Sequence, residues 1–118
     1  MAQAQVIDED QLGGLAEAAG ADAVRAILEA YWESTETLST ELVAAAEAAD
    51  ASNIAQLGHA LKGSSANIGA ALMALRAQAI EVAAKAGDVA AVREAVSAIP
   101  DDIERTRHAI DNLLARVG

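Results

Sequence analysis

Apolar positions recur with a helical period along almost all of the 118 residues. From Ala21 to Ala49 there is neither glycine nor proline. Val24, Leu28, Tyr31, Thr35, Leu38, Leu42, Ala45 and Ala49 follow one another there in alternating steps of four and three. This spacing predicts one long helix whose stripe packs along a bundle seam. Before it, a short helix is expected over Asp8–Ala18, interrupted by Gly20, with residues 1–7 as a loose end. After it, Asp50-Ala-Ser-Asn supplies capping and turn residues, and a third helix is expected over Ser52–Ile68, closed by Gly69. A fourth, over Ala70–Ala86, carries Leu72, Leu75, Ala79 and Val82 on one face. Gly87-Asp88 reads as a stop and an N-cap. The last helix, Val89–Val117, carries Val89, Val92, Val96, Ile99, Ile103, Ile110, Leu114 and Val117. Its register survives Pro100, which predicts a kinked helix, with a break into two helices as the alternative.

Four long amphipathic helices with short connections predict an all-α fold: an antiparallel up-down four-helix bundle with an additional short N-terminal helix capping one end. Composition agrees. Much of the 53 % apolar content is alanine, and the aromatic residues are Tyr31 and Trp32, both read as packing residues. Alanine is the best helix former, and strand-forming residues are sparse. No internal repeat or linker is visible, so residues 1–118 are expected to form a single domain with one hydrophobic core.

Charge narrows the function. Eighteen acids against eight bases give a net charge of −10. Nucleic acid needs a basic face to displace counterions, and an anionic membrane surface needs the same; neither is expected as a partner. The absence of cysteine excludes disulfides and thiolate chemistry. His59 and His108 stand too far apart to suggest a metal site. No run of about 18 uncharged apolar residues could span a membrane. The start of the chain carries acids where a signal peptide needs lysine or arginine, so a cytoplasmic location is expected. The alanine richness fits a high-GC bacterial genome.

The third helix carries the chemistry. At about 100° per residue, Ile54, Leu57, Leu61 and Ile68 occupy a sector of roughly 60°, and His59 lies roughly 160° from its centre, facing solvent. Its helical neighbours are Ala55, Lys62, Gly63 and Ala66. Small residues make a low platform, as an imidazole must have if it is to be reached in line by another protein's phosphoryl group. Gly63 costs about 1 kcal/mol of helix propensity relative to alanine, which close approach of a partner would justify. Lys62 sets a cation where phosphoryl oxygens would lie. An exposed imidazole is also largely neutral and nucleophilic at cellular pH. His108, among Glu104, Arg105, Arg107 and Asp111, has no such platform and is expected to have no task.

The run His59-Ala-Leu-Lys62-Gly63-Ser64-Ser65-Ala-Asn-Ile-Gly69-Ala70 closely resembles the signature of histidine-containing phosphotransfer (HPt) domains, helical bundles that relay phosphoryl groups between receiver domains. The resemblance implies His59 as phosphoacceptor through Nε2, Lys62 as the neighbouring cation and Gly63 as the point of access. Ser64, by helical angle, points toward the bundle. Ser65 lies deeper, where its hydroxyl is expected to bond a backbone carbonyl one turn back. The family often places a glutamine on the following helix to orient the histidine. Gln78 and Glu81 are the candidates here, with Glu81 at the usual glutamine position. A carboxylate there would hold Nδ1–H but repel an attached phosphoryl group. Lys85, one turn further, would add positive charge to the same face.

The expected function is therefore that of a phosphocarrier, accepting a phosphoryl group on His59 from the receiver aspartate of a hybrid kinase and passing it to the aspartate of a response regulator. No Gly-rich phosphate loop is present, so no ATP-dependent kinase activity is expected. No cofactor is expected either, with Mg²⁺ placed on the partner receiver domain. A monomer is the default. Ile7, Leu12 and Leu15 are candidates for an apolar docking patch. The rival readings are a pseudo-HPt module that binds receivers without accepting phosphate, kept open by Glu81, and an acidic helical adaptor.

Overall fold

The computed structural model describes residues 5–117, and among them six α-helices and no strand are found: α1 Glu9–Ala19, α2 Ala21–Glu47, α3 Ala51–Ile68, α4 Ala71–Lys85, α5 Val89–Ser97 and α6 Ile99–Val117. The first four residues of the expected loose end lie outside the described residues, as does the side chain of Val117, the last position of the expected stripe. Three aspartates start helices as N-caps. Asp8 accepts the Gln11 N–H, Asp50 that of Asn53 and Asp88 that of Ala91, at 3.0–3.3 Å. Gly69 closes α3 in the left-handed region at φ 82°, a conformation that costs glycine little.

Pro100 does not sit in a kinked helix. The chain leaves α5 at Ala98 and starts α6 at Ile99, which places the proline in the first turn of a new helix. There its missing N–H has no intrahelical acceptor to forgo, whereas inside a continuous helix its ring would press on the carbonyl of Val96. Asp101 and Asp102 in the same turn suit the positive end of the helix dipole. The expected stripe nevertheless keeps its register: Val92, Val96, Ile99, Ile110 and Leu114 are buried.

The fourth helix turns the other way from expectation. Leu75 and Val82 are 53 % and 60 % exposed, Ala79 is exposed, and the buried face is Met73, Ala77, Ile80 and Ala84. Because α4 is apolar on most sides, its sequence offers two stripes. The alanine-bearing one is buried because it permits the closer helix contact.

Two clusters fill the interior. One joins Tyr31 and Leu42 of α2 to Ile54, Leu61, Met73, Ile80, Val92 and Ile99. The other joins Ile7 and Leu12 to Val24, Leu28, Ile110 and Leu114. Trp32 packs against both, in an edge-to-face arrangement with Tyr31 and with the Arg107 guanidinium 4.5 Å from its centroid. Ile7 and Leu12 are thus core residues and Leu15 is half-buried, so this end of the chain does not supply the expected docking patch. A leucine that is 1 % exposed cannot meet a partner.

Asp102 is buried and receives Arg76 Nε at 2.6 Å, tying α4 to α6. The aspartate also holds the guanidinium in its charged form, raising the arginine pKa. Removing the cation strands a buried carboxylate. Arg76→Ala is therefore expected to lower unfolding free energy by about 3–5 kcal/mol in urea titrations.

Candidate functional site

α3 and α4 form a hairpin around Gly69, and their backbones approach closely at Gly58. A Cβ on Gly58 would lie 3.2 Å from both the Ala77 carbonyl oxygen and the Glu81 backbone nitrogen. The missing side chain lets the two backbones approach until Glu81 reaches under the neighbouring residue, His59. The ring of His59 is 71 % exposed, whereas the Glu81 side chain is 9 % exposed. Glu81 Oε2 lies 3.3 Å from His59 Nδ1, leaving Nε2 as the ring nitrogen turned away from the carboxylate.

The same carboxylate collects two lysines. Lys62 Nζ, on α3, donates to Oε1 at 2.9 Å, and Lys85 Nζ, one turn along α4, donates to Oε2 at 3.1 Å. These contacts, Lys62's first and Lys85's second, outweigh the opposing effect of burial and hold the Glu81 pKa at about 2, below its ordinary 4.5. Glu81 is a carboxylate at any physiological pH. A patch carrying two cations and one anion thus surrounds the imidazole, on a chain whose net charge is −10.

The remaining expected residues fall into two groups. Gly63 faces open space, with nothing within 4 Å of where its Cβ would be. Gln78 lies in a groove with Lys62, Gly63 and Leu75, bordered by Asp8 and Gln11, and Glu81 holds the position under the ring. Ser65 is buried and Ser64 half-buried, as their helical angles predicted, but the partner of Ser65 differs. Ser64 Oγ donates to the Leu61 carbonyl at 3.2 Å, while Ser65 shares a buried 2.6 Å hydrogen bond with the Tyr31 hydroxyl. The expectation that Ser65 would bond backbone is thus corrected. At its depth the phenol of α2 is the nearer partner, and the bond ties α3 to α2. His108 is exposed on α6. Among the described residues no group of three or more His, Asp or Glu is placed to hold a metal ion, and no helix is long and apolar enough to cross a membrane.

Residues 26–109, from early α2 into α6, match the family model of the Hpt domain. The chain belongs to the Hpt domain family. The fold agrees: the crystal structure of histidine-containing phosphotransfer protein B (HptB) from Pseudomonas aeruginosa PAO1 superposes with a TM-score of 0.82, covering 97 % of this chain and 98 % of that one at 24 % identity. At that identity the likeness is one of fold. No curated protein shows significant similarity to the chain. Family membership makes the protein a histidine phosphotransfer protein of the phosphorelay class.

Two features of this Hpt domain's site lie outside the expectations drawn from the sequence. Gly58 was the detectable one: it falls among the buried positions of α3, between Ile54 and Leu61, and a glycine on the core side of a helix signals a close backbone approach. Gln11 left no such trace. Its Nε2 donates to the carbonyls of Ala66 and Asn67, at 3.3 and 2.8 Å, and so caps α3 from 55 residues away.

The two mid-helix glycines predict opposite outcomes for the same substitution. Gly63→Ala should stabilise the Hpt domain by about 1 kcal/mol through helix propensity. Gly58→Ala gains the same propensity but drives a methyl group into the α4 backbone, an overpacking cost of about 1–3 kcal/mol, so the net change should be destabilising. Chemical denaturation of both variants decides; equal effects would remove the close-contact argument.

The Glu81 ion pairs also give an acid signature. The folded pKa lies below the unfolded one, so their stabilisation is complete above about pH 4.5 and is lost as pH falls toward about 2. The stability difference between wild type and Glu81→Gln should shrink across that window, and a difference independent of pH would contradict the assignment.

Proposed function

We propose that His59 Nε2 accepts a phosphoryl group from an aspartyl phosphate on the receiver domain of a hybrid kinase and returns it to the aspartate of a response-regulator receiver. The observation that carries this reading is the arrangement at His59: an exposed ring whose Nδ1 faces a buried carboxylate, beside a lysine and an unobstructed glycine. In the forward step the Nε2 lone pair forms the N–P bond. The P–O bond to aspartate breaks, and its electron pair leaves with the partner's carboxylate. Lys62 and Lys85 offset the charge on the phosphoryl oxygens. Mg²⁺ belongs to the receiver, and the carrier itself needs no cofactor and performs no ATP-dependent step.

In this reading α2, α3, α4 and the α5–α6 pair make an antiparallel four-helix bundle, with α1 packed at one end. A rigid bundle suits the task because the histidine must meet two different partners in one geometry. Leu75 and Val82 replace Ile7, Leu12 and Leu15 as the apolar part of the receiver-docking face, being the exposed large apolar residues of α4. The charge at Glu81 that favoured a non-accepting module is matched by two lysine partners, which supports a phosphate-accepting site.

The test is transfer from phosphorylated receiver domains. Wild type should acquire an acid-labile, alkali-stable label that His59→Gln lacks, and Leu75→Asp should slow transfer at least about tenfold through lost docking while its melting temperature stays unchanged. Receivers that bind the protein without labelling it would instead establish the adaptor reading.

A further inference from the structure

A groove of about 680 Å³ runs beside the phosphoacceptor, between the α3–α4 hairpin and the start of α1. Lys62 and Gly63 stand at one end, next to His59. Gly69 and Asp8 stand at the other, two turns or about 10 Å further along α3. Between the ends the lining is small and apolar, with Ala66, Ala71, Ala74 and Leu75. The polar side chains that complete it are the neutral amides of Gln5, Gln11 and Gln78. Among the described residues Asp8 is therefore the single carboxylate of the groove. Its place is fixed. The Asp8 N–H donates to the Gly69 carbonyl at 2.8 Å, and Oδ1 caps α1 by accepting the Gln11 N–H at 3.1 Å. No lysine, arginine or histidine pairs with it among the described residues, whereas its neighbour Glu9 holds Arg116 at 2.8 Å. At the other end Lys62 is held by Glu81.

We propose that Asp8 is a partner-specificity residue: it favours receiver domains that set a lysine or arginine against the α1 end of the groove and disfavours those that set an acid there. This rests on the assignment of His59 as phosphoacceptor and adds to it a choice among partners. In the docking proposed above the receiver covers Leu75, and the groove continues from that contact to Asp8. An unpaired carboxylate at the rim of an interface acts through the charge set opposite it. A cation is attracted and meets it faster, and an anion is repelled. Position along the chain fits discrimination. Residues 26–109, which match the family model, include Lys62, Gly63 and Leu75, whereas Gln5, Asp8 and Gln11 precede them. Residues shared by the family address receivers as a class, so choosing among receivers falls to groove residues outside that stretch. The burial of Ile7 and Leu12 holds this end in place, so the segment that offers no apolar patch offers a fixed charge.

The experiment takes the phosphorylated receiver domain that loads wild type fastest. Transfer to full-length wild type, Asp8→Asn and Gln5→Lys is measured at about 0.02 M and about 0.5 M salt, and circular dichroism confirms the fold of each. Asparagine caps a helix as well as aspartate does, so Asp8→Asn removes the charge and keeps the cap. Gln5→Lys brings a cation to the same end of the groove without touching the cap. At low salt Asp8→Asn should lower kcat/KM about two- to fivefold, through KM rather than kcat, and Gln5→Lys should lower it at least as far. Both losses should shrink at the higher salt. Glutamate in place of the receiver's contacting lysine or arginine should slow transfer to wild type, and slow transfer to Asp8→Asn less. An equal or higher kcat/KM for folded Asp8→Asn at low salt would overturn the proposal, as would a loss that salt leaves unchanged. Should Asp8→Asn fail to fold, an equal or higher value for Gln5→Lys overturns it instead. Phosphoramidate, a small donor that needs no receiver, tests the acceptor separately. Labelling of His59→Gln at the wild-type stoichiometry would defeat the phosphoacceptor assignment itself, whatever the receiver kinetics show.

Discussion

The close approach of α3 and α4 at Gly58 governs the rest of the site. With 3.2 Å between a would-be Cβ and the α4 backbone, a methyl group would fit only if that backbone gave way by a few tenths of an ångström. Because the two backbones lie so near, a glutamate side chain rooted in the core-facing half of α4 can extend outward beneath the imidazole of the next residue on α3. A wider separation would detach Glu81 from both His59 and Lys62, leaving it only Lys85 of its own helix. The alanines of α4 serve the same constraint. Ala77 and Ala84 form the buried stripe because small side chains let the helices close, and this leaves the larger Leu75 and Val82 outside.

That arrangement concentrates charge in an otherwise acidic molecule. One carboxylate accepts from two ammonium groups and faces a ring nitrogen, a combination that needs Lys62 from one helix and Glu81 and Lys85 from the other. The lysines are partly exposed, but the carboxylate they share is buried, so the pairs add stability that is lost in acid. Their value is also positional: Glu81 is anchored at both oxygens, so it faces the ring in one geometry. Two cations also remain within reach of any anion attached to that ring. The expected positive charge of Lys62 and Lys85 is thus joined to the carboxylate itself, since both lysines reach Glu81 in the folded hairpin.

The hairpin is supported from behind and from its closed end. Behind it, the Ser65–Tyr31 hydrogen bond fastens α3 to α2, and the Arg76–Asp102 pair fastens α4 to α6. At the closed end the segment before α1 is stitched to the α3–α4 turn. Asp8 N–H donates to the Gly69 carbonyl at 2.8 Å, Leu72 N–H donates to the Val6 carbonyl at 3.0 Å, and Gln11 caps the last turn of α3. Ile7 and Leu12 are buried as part of this closure, which is why they serve the fold rather than a partner.

Local physics was legible in the chain. Helix starts at the three aspartates, the stop at Gly69 and the stripe of α2 follow from capping chemistry and from a 3.6-residue period, both of which act over a few residues. So does the exposure of His59 beside Lys62 and Gly63, since all three lie on one helix whose apolar side was evident. What lay beyond the sequence required two elements at once. Which apolar face of α4 is buried was undetermined because either would satisfy the period, and backbone approach to α3 chose between them. Whether Pro100 bends one helix or begins another depended on where the chain could shed an N–H without loss. The partner of Ser65, the cap from Gln11 and the contacts of Glu81 with Lys62 and His59 were set by distances between helices. A pattern within one helix carries no record of such distances.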